Sequence, residues 1–199
     1  MATRIVVVQH GEKVRVAGDP GLTDVGHEQA ETTAAWIARS VGSDVAAVVS
    51  SPLLRACQTA APIAARLGLD VSTDDRLRER MNWTADSGLE LDAFLAEWER
   101  ATADRTHVPP LGDSSVATAD RMLAALDDLA TTHADRTVIV TSHGGATVDL
   151  LRTLLGDDAV DVELIAEGPS GCAITELVGA PGDWQVIRAA DTHHLPAEK

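Results

Sequence analysis

Short runs of consecutive apolar residues alternate along the chain with longer stretches in which apolar residues recur every three to four positions. The residues Ile5 to Val8 are all β-branched and apolar, and Val138-Ile139-Val140 repeats this pattern. A run that is apolar on both faces is typical of a strand in a sheet covered by helices on both sides. We therefore predict buried strands over Arg4–Gln9 and Thr137–Ser142.

Five stretches have the spacing of amphipathic helices, with an apolar stripe and a capping residue or glycine at an end. In one of them, Leu91, Phe94, Leu95 and Trp98 share a face. The predicted helices span about Thr23–Val41, Leu53–Leu67, Leu89–Ala103, Ser114–His133 and Gly144–Leu155. Pro62 lies inside the second helix, where a proline removes a backbone donor and predicts a kink or a break.

Four further strands complete the pattern. They are predicted over Asp44–Ser50, Leu69–Thr73, Gly171–Val178 and Gln185–Ala189, and a short turn joins the last two. A hairpin at this point makes the sheet mixed rather than purely parallel. The alternation of strands and helices predicts one α/β domain over residues 1–199, a three-layer sandwich with a mainly parallel sheet flanked by helices.

Charge and composition restrict the classes of partner. The chain has 31 Asp and Glu against 16 Lys and Arg, a formal net charge of −15. Such a surface repels nucleic acids and anionic lipids, so we expect neither a nucleic-acid nor a membrane partner. No apolar stretch is long enough to span a bilayer, and Ile5 to Val8 is too short for a signal peptide. With only two cysteines and no disulfide framework, we expect a cytoplasmic protein.

Polar side chains follow three of the predicted strands. His10 and Gly11 follow the first strand, Arg55 follows the second, and His143 and Gly144 follow the strand Thr137–Ser142. Ligands of open α/β sheets bind beyond the carboxyl ends of the parallel strands. Glycines allow backbone N–H groups to approach a ligand, and a helix N-terminus attracts anions. The sequence therefore predicts a pocket for a phosphoryl group at this edge.

An ordered set of short segments carries a resemblance to a known family. The segments are Gln9-His10-Gly11-Glu12, Leu22 to Ala30, Ser51 to Ala60, Leu77-Arg78-Glu79, Pro109 to Ser114 with Arg121 behind it, Ser142 to Gly145, and Asp191 to Leu195. Together they resemble the histidine phosphatase superfamily, also called phosphoglycerate mutase-like, from residue 4 to residue 195. The resemblance implies the sandwich fold predicted above.

The resemblance also implies roles for four side chains. His10 takes the phosphoryl group as a phosphohistidine, and Arg55 and His143 hold the phosphoryl oxygens. Glu79 protonates the leaving oxygen and then deprotonates the attacking water. These roles need no metal and no cofactor, and the implied partner is a small phosphorylated substrate.

Position 9 departs from the family, which usually has an arginine there. Gln9 donates hydrogen bonds but carries no charge, and the exchange costs roughly 1–2 kcal/mol of phosphate binding. We expect Lys13 to supply part of the missing charge. Gln9, Gly11, Lys13 and Gly144 are the expected phosphate- or substrate-binding residues.

The sequence leaves several alternatives open. Glu79 lies in a charged run, and Asp86, Glu90 or Asp113 could be the proton donor instead. A phosphatase on small phosphomonoesters is favoured over a phosphoglycerate-type mutase, because a chain of 199 residues leaves little room for a lid. A phospho-ligand-binding protein with weakened catalysis is the third reading, based on Gln9. The oligomeric state is open between a monomer and a homodimer.

Overall fold

The computed structural model describes residues 2–84 and 86–196 of the chain. In this part of the chain, one sheet contains the strands β1 (Thr3–Gln9), β2 (Val45–Ser50), β3 (Val71–Thr73), β4 (Thr137–Ser142), β5 (Ile174–Ala180) and β6 (Asp183–Asp191). Their spatial order is β3-β2-β4-β1-β5-β6. The first four strands are parallel, and β5 and β6 form an antiparallel hairpin at one edge. The predicted mixed, mainly parallel sheet is confirmed.

The helices are α1 (Asp24–Ser40), α2 (Leu54–Leu67), α3 (Leu91–Ala103), α4 (Ser115–Thr132), α5 (Gly144–Leu155) and α6 (Val162–Glu167). The Thr23 hydroxyl caps α1 by accepting from the Gly26 N–H, and Ser114 caps α4 through Ala117. Helix α2 continues through Pro62 without a break, and Gly68 ends it in the left-handed conformation. No helix of the described residues has the length and apolar character needed to cross a bilayer.

The structure corrects several predicted boundaries. Strand β5 begins at Ile174 rather than Gly171, because residues 170–173 form a turn in which Cys172 has a positive φ of 58°. Strand β6 is longer than predicted and β3 is shorter. Helix α6 was not predicted, since its six residues are too few to show a periodic stripe.

The core lies on both faces of the sheet, which explains the continuous apolar runs. In β1, Ile5 and Val7 pack with α4 and α5 residues such as Leu126 and Leu150 on one face. Val6 and Val8 pack on the opposite face with residues of α1 and α2, including Ile37 and Ile63. Alternate residues of one strand thus serve two helical layers.

Backbone hydrogen bonds continue past the carboxyl ends of the parallel strands. The His10 N–H donates to the Ser142 carbonyl at 3.1 Å, and the Ser51 N–H donates to the Thr141 carbonyl at 2.9 Å. The residues that follow β1, β2 and β4 are therefore fixed relative to one another, at the edge where the sequence predicts a site.

Candidate active site

Two buried imidazole rings lie together at the carboxyl edge of the sheet. The ring centroids of His10 and His143 are 5.2 Å apart, with 61° between the ring planes. His10 directly follows β1, and His143 lies between β4 and α5. The predicted convergence of the two histidines is confirmed.

The hydrogen bonding of His10 leaves one ring nitrogen free. Its Nδ1 lies 2.7 Å from the Gly11 carbonyl oxygen, which can only accept, so Nδ1 carries the hydrogen. The Nε2 atom therefore keeps its lone pair. Burial, with smaller contributions from the nearby Arg55 and Lys13 charges, lowers the pKa of His10 to about 3, although the bond to Gly11 opposes this. The ring is neutral at pH 7, the form a nucleophile needs.

We expect this neutral, buried ring to make the protein sensitive to acid. Between pH 6.5 and about 3 the unfolded chain binds a proton at His10 that the folded chain excludes. The free energy of unfolding is therefore unaffected by His10 above pH 6.5. Below pH 6.5 it falls by about 1.4 kcal/mol per pH unit for this one proton, down to the folded-state pKa. Urea unfolding between pH 7 and pH 4.5 should show a shallower decline for His10→Asn than for the wild type. Equal slopes would contradict the burial of a neutral His10.

His143 is completely buried behind the strand end. Its Nε2 lies 2.7 Å from the Ser51 hydroxyl oxygen, and that oxygen also accepts from the Leu53 N–H. When the Ser51 hydroxyl donates to Nε2, the ring carries its hydrogen on Nδ1; when the hydroxyl accepts from Nε2, Nδ1 carries a lone pair. This Nδ1 is buried and has no hydrogen-bond partner among the described residues. Burial, followed by the Arg55 charge, lowers the pKa of His143 well below its usual value.

Arg55, in the first turn of α2, is a buried guanidinium with few partners. Its Nη2 donates to the Asn82 side chain at 3.4 Å, and its Nη1 is 3.6 Å from the Asp19 carboxylate. Its Nε and Nη1 make no hydrogen bonds within the described structure. Burial lowers the pKa of Arg55, against the opposing charges of Glu79 and Asp19, although a guanidinium keeps its charge at pH 7. A buried cation with unused donors is costly unless an anion completes it.

Gln9 adds a further polar atom without a partner. Its side chain is buried and lines the same cavity as His10, and its Oε1 has no hydrogen bond among the described residues. A rotation of the amide exchanges its oxygen and its NH₂ group, so the position without a partner can hold a donor. Gln9 and Arg55 line the cavity beside His10, whereas His143 does not line it and has its ring centroid 5.2 Å from that of His10.

Glu79 is fixed by backbone N–H groups. Its carboxylate accepts from Gly145 at 3.2 Å and Ala146 at 3.0 Å, at the N-terminus of α5, and from Arg80 at 2.8 Å. The sequence assigned this helix N-terminus to the phosphoryl group, but two of its N–H groups serve Glu79 instead. The chain thus brings its own carboxylate to the helix dipole, and binding of the phosphoryl group beside Gly144 stays a prediction.

Buried contacts hold the segment that carries Glu79. Arg121 donates to the carbonyls of Arg76 at 2.6 Å and Glu79 at 3.0 Å, and its Nε pairs with Asp113 at 2.9 Å. The Ser142 hydroxyl donates to the Leu77 carbonyl at 2.9 Å. Asp113, a sequence alternative for the proton donor, thus pairs with Arg121, and Asp86 and Glu90 do not line the cavity.

A cavity of about 560 Å³ lies over these groups. Gln9, His10, Lys13, Arg55 and Glu79 line one end. Lys13 is brought there by a bridge to Leu22, and it has no ion pair among the described residues. Burial lowers the pKa of Lys13, with the Arg55 charge acting in the same direction and Glu79 opposing it. The polar end is cationic although the chain as a whole is strongly acidic.

The two predicted glycines differ in their positions. Gly144 lines the cavity, and a Cβ there would lie 3.4 Å from Gln9 Nε2. Gly11 does not line it, and its N–H donates to the Thr59 hydroxyl at 3.0 Å. A Cβ on Gly11 would lie 2.4 Å from the Gly26 carbonyl oxygen, so the glycine permits this close backbone contact. The binding role of Gly11 stays a prediction, and its N–H already has a protein partner.

Sequence reasoning gave no role to Ser51 and Asp19, and it placed Arg80 near the pocket without identifying its contacts. Ser51 orients His143, and Asp19 caps α2 by accepting from the Leu54 N–H while facing Arg55. Arg80 is buried, pairs with Asp149 at 3.0 Å and lies 4.2 Å from the centre of the Trp98 ring. Ser51 was detectable, since it directly follows a strand end, but the other two depend on contacts distant in sequence. No group of three or more His, Cys, Asp or Glu suited to a metal occurs in the described ranges.

Comparisons with known proteins agree with this geometry. A 35% identical relative from Mycolicibacterium vanbaalenii, named glucosyl-3-phosphoglycerate phosphatase, matches over 170 residues, 77% of this chain and 74% of that protein. A Yersinia pestis protein named "Probable phosphoglycerate mutase GpmB" is 31% identical over 207 residues, 96% of this chain and 94% of that protein.

A solved structure of a phosphatase is similar to this chain over almost its whole length. It is the mycobacterial glucosyl-3-phosphoglycerate phosphatase in complex with inorganic phosphate, with 27% identity and a TM-score of 0.75, covering 97% of this chain and 99% of that chain. The family model described as histidine phosphatase superfamily (branch 1) matches residues 4–192. The chain therefore belongs to the histidine phosphatase superfamily.

Proposed function

We propose that this chain hydrolyses a small phosphorylated metabolite through a phosphohistidine on His10. The observation that carries the proposal is the free Nε2 of a neutral His10 beside buried polar atoms of Arg55 and His143 that have no hydrogen-bond partner among the described residues. A phosphoryl group supplies the missing acceptors and receives the nucleophile. The relatives named as phosphatases support hydrolysis of phosphoric monoesters as the class of reaction.

The proposed reaction has two displacements. With Glu79 in its protonated form when the substrate is bound, His10 Nε2 forms a bond to phosphorus while the bond from phosphorus to the leaving oxygen breaks, and that oxygen takes the proton of Glu79, leaving a carboxylate. A water oxygen then attacks phosphorus, its proton returns to Glu79, and the bond to Nε2 breaks. The products are an alcohol and inorganic phosphate. Arg55 and His143 stabilise the charge on the phosphoryl oxygens in both steps.

Gln9, Lys13 and Gly144 complete the proposed phosphate site. Gln9 is uncharged, so the cations at this end of the cavity are Arg55, which also faces Asp19, and Lys13, with Arg15 further along the lining. Gly144 gives the phosphoryl group close access to the backbone at the start of α5. We assign Gly11 the role of orienting the His10 ring, because its carbonyl oxygen accepts the hydrogen bond from Nδ1.

The test of this function is phosphate release from p-nitrophenyl phosphate and from sn-glycerol 3-phosphate. We expect turnover of both, and we expect the same kcat/KM after dialysis against EDTA, because no step is assigned to a metal. No release from either ester would contradict the proposal. Activity restored only by the Gln9→Arg exchange would favour the alternative of a weakened phospho-ligand-binding protein.

A phosphoglycerate-type mutase is the second candidate, favoured by the match to the Yersinia protein over almost the whole chain. A mutase must keep water from its phosphohistidine. Here three apolar side chains at the cavity, Val16, Leu91 and Leu95, are 57%, 46% and 47% exposed, so the site is open to water. We therefore expect 3-phosphoglycerate, if it is used, to give inorganic phosphate and no 2-phosphoglycerate.

We expect Lys13→Ala to raise KM for a phosphomonoester about tenfold, since a charged contact to the phosphate is lost. The change should affect KM more than kcat, because Lys13 binds the phosphate in the ground state as well as in the transition state. Initial rates across a range of substrate concentrations measure the effect. Arg39→Ala, at the exposed end of α1, is the matched control. An unchanged KM in Lys13→Ala would overturn the role of Lys13.

The remaining expectations about partners and location are proposals as well. The small phosphorylated substrate follows from the site. The absence of a nucleic-acid partner rests on the net charge of −15. The cytoplasmic location and the homodimer stay predictions.

A further inference from the structure

Helix α3 presents an apolar face to the cavity rather than to the core. Leu91, Phe94, Leu95 and Trp98 all line the cavity, and Ala101 is the one buried residue of this helix. None of the four side chains belongs to the core clusters formed by the described residues. An amphipathic helix usually buries its apolar stripe against the protein. In this structure, the stripe borders a space that a ligand can fill.

Aromatic rings form a row along this wall. The rings of Trp83 and Phe94 are 6.4 Å apart at 37°, and those of Phe94 and Trp98 are 6.4 Å apart at 36°. The chain has five aromatic residues, four Trp and one Phe, so three of the five line one cavity. Aromatic rings at such separations attract further rings by stacking or edge contacts.

Most polar groups beside the aromatic rings already have protein partners, although the buried Arg80 Nε has none among the described residues. The Trp83 indole N–H donates to the Leu89 carbonyl at 2.9 Å, and the Asn82 amide donates to the Gly18 carbonyl at 2.8 Å. Arg80 donates to Asp149 and to Thr102, whose own hydroxyl donates to the Trp98 carbonyl. Few donors of this wall therefore remain for the hydroxyl groups of a sugar, which gain little here over their hydrogen bonds to water, whereas an aromatic ring gains contact with the apolar wall.

We propose that the leaving group of the substrate carries an aromatic ring, which binds against the face formed by Trp83, Phe94 and Trp98. The inference rests on the proposed function, which places the phosphoryl group at His10. The cavity volume of about 560 Å³ lies within the range of small-molecule sites and exceeds the need of a phosphoryl group alone. The proposal differs from the substrate in the names of the mycobacterial relatives, whose glucosyl and glycerate parts are polar.

The test compares two alkyl phosphates, 2-naphthylmethyl phosphate and sn-glycerol 3-phosphate. Both release a primary alkoxide, so a preference does not arise from an easily departing phenolate. We expect kcat/KM of the wild type to be at least about tenfold higher for the naphthyl ester. Phe94→Ala should lower the ratio of the two kcat/KM values about tenfold. A ratio measured within one enzyme preparation does not depend on its folded fraction.

A second wall variant and a control variant outside the cavity test whether the wall itself determines the ratio of the two kcat/KM values. Leu95→Ser changes an exposed side chain of the same wall and should lower the ratio as well. Leu155→Ser changes a leucine of similar exposure, 42%, that does not line the cavity, and it should leave the ratio unchanged. A wild-type ratio of one or less, or a ratio unaffected by both wall variants, would overturn the inference while hydrolysis itself stands. Hydrolysis of neither ester would overturn the proposed function and the inference with it.

Discussion

His10→Ala is expected to lower kcat/KM for phosphomonoesters by about 10³-fold or more, because the variant lacks the atom that forms the covalent intermediate. The free Nε2 of His10, which lines the polar end of the cavity, is the proposed nucleophile. Both kcat and kcat/KM should fall, since the interaction lost is made with the reacting phosphorus. Stopped assays for inorganic phosphate measure the effect down to the background rate.

The matched control for this variant is His27→Ala. His27 lies on the exposed surface of α1 and does not line the cavity, so its loss should leave kcat/KM within about twofold. Because His10 is buried, the circular dichroism of His10→Ala must match that of the wild type. A folded His10→Ala that retained a tenth of the wild-type activity would exclude His10 as the nucleophile.

Arg55→Met is expected to separate catalysis from stability. The guanidinium is a buried cation whose Nε and Nη1 have no hydrogen-bond partner within the described structure, although Nη1 lies 3.6 Å from the Asp19 carboxylate. Removing one preorganised group that stabilises transition-state charge costs about 10²–10³-fold in kcat. Methionine keeps much of the side-chain volume without a buried charge, so the free energy of unfolding without phosphate should stay equal or rise.

The measurements for Arg55→Met are kcat/KM and the midpoint of urea unfolding, with and without inorganic phosphate. Phosphate should raise the midpoint of the wild type and leave that of the variant unchanged, since only the wild type binds it. The exposed Arg66→Met on the same helix is the control. A lower unfolding midpoint of Arg55→Met without phosphate, together with a midpoint of the wild type that phosphate does not raise, would contradict this account. Arg55 would then be a structural residue whose role is to pair with Asp19 and Asn82.

The sheet and most helices could be predicted from the sequence because their signals are local. Ile5 to Val8 is apolar on both faces, and the structure packs alternate members of this run on opposite layers. The same logic located His10 and His143, since a residue that follows a strand lies at the edge of the sheet. Helix α6 escaped prediction although Asp161 caps it and Gly168 follows its end, because six residues do not reveal a stripe.

Glu79 shows where local signals were insufficient. In the sequence it lies within Arg76-Leu77-Arg78-Glu79-Arg80, which has the composition of a solvated charged run. In the structure Leu77 and Arg80 are buried, and Glu79 binds N–H groups of α5, 66 and 67 positions away along the chain. The position of a carboxylate at a distant helix N-terminus depends on packing, which no spacing rule encodes.

Helix α3 was predicted, but the surface that its stripe faces was not. The spacing of Leu91, Phe94, Leu95 and Trp98 indicates an apolar face equally for a helix on the core and for one beside a cavity. The difference is set by the neighbours, and here they are the other walls of the site. The substrate preference therefore depends on the part of the fold that sequence patterns constrain least.

The most direct measurement for the central claim is chemical trapping of the intermediate. The enzyme is mixed with a phosphomonoester, quenched in alkali, where phosphohistidine is stable, and digested for mass spectrometry. We predict a phosphoryl group on the peptide that contains His10, formed within the first turnover and lost as phosphate is released. A phosphoryl group on another residue, or full turnover with His10 unmodified at every time point, would contradict the account.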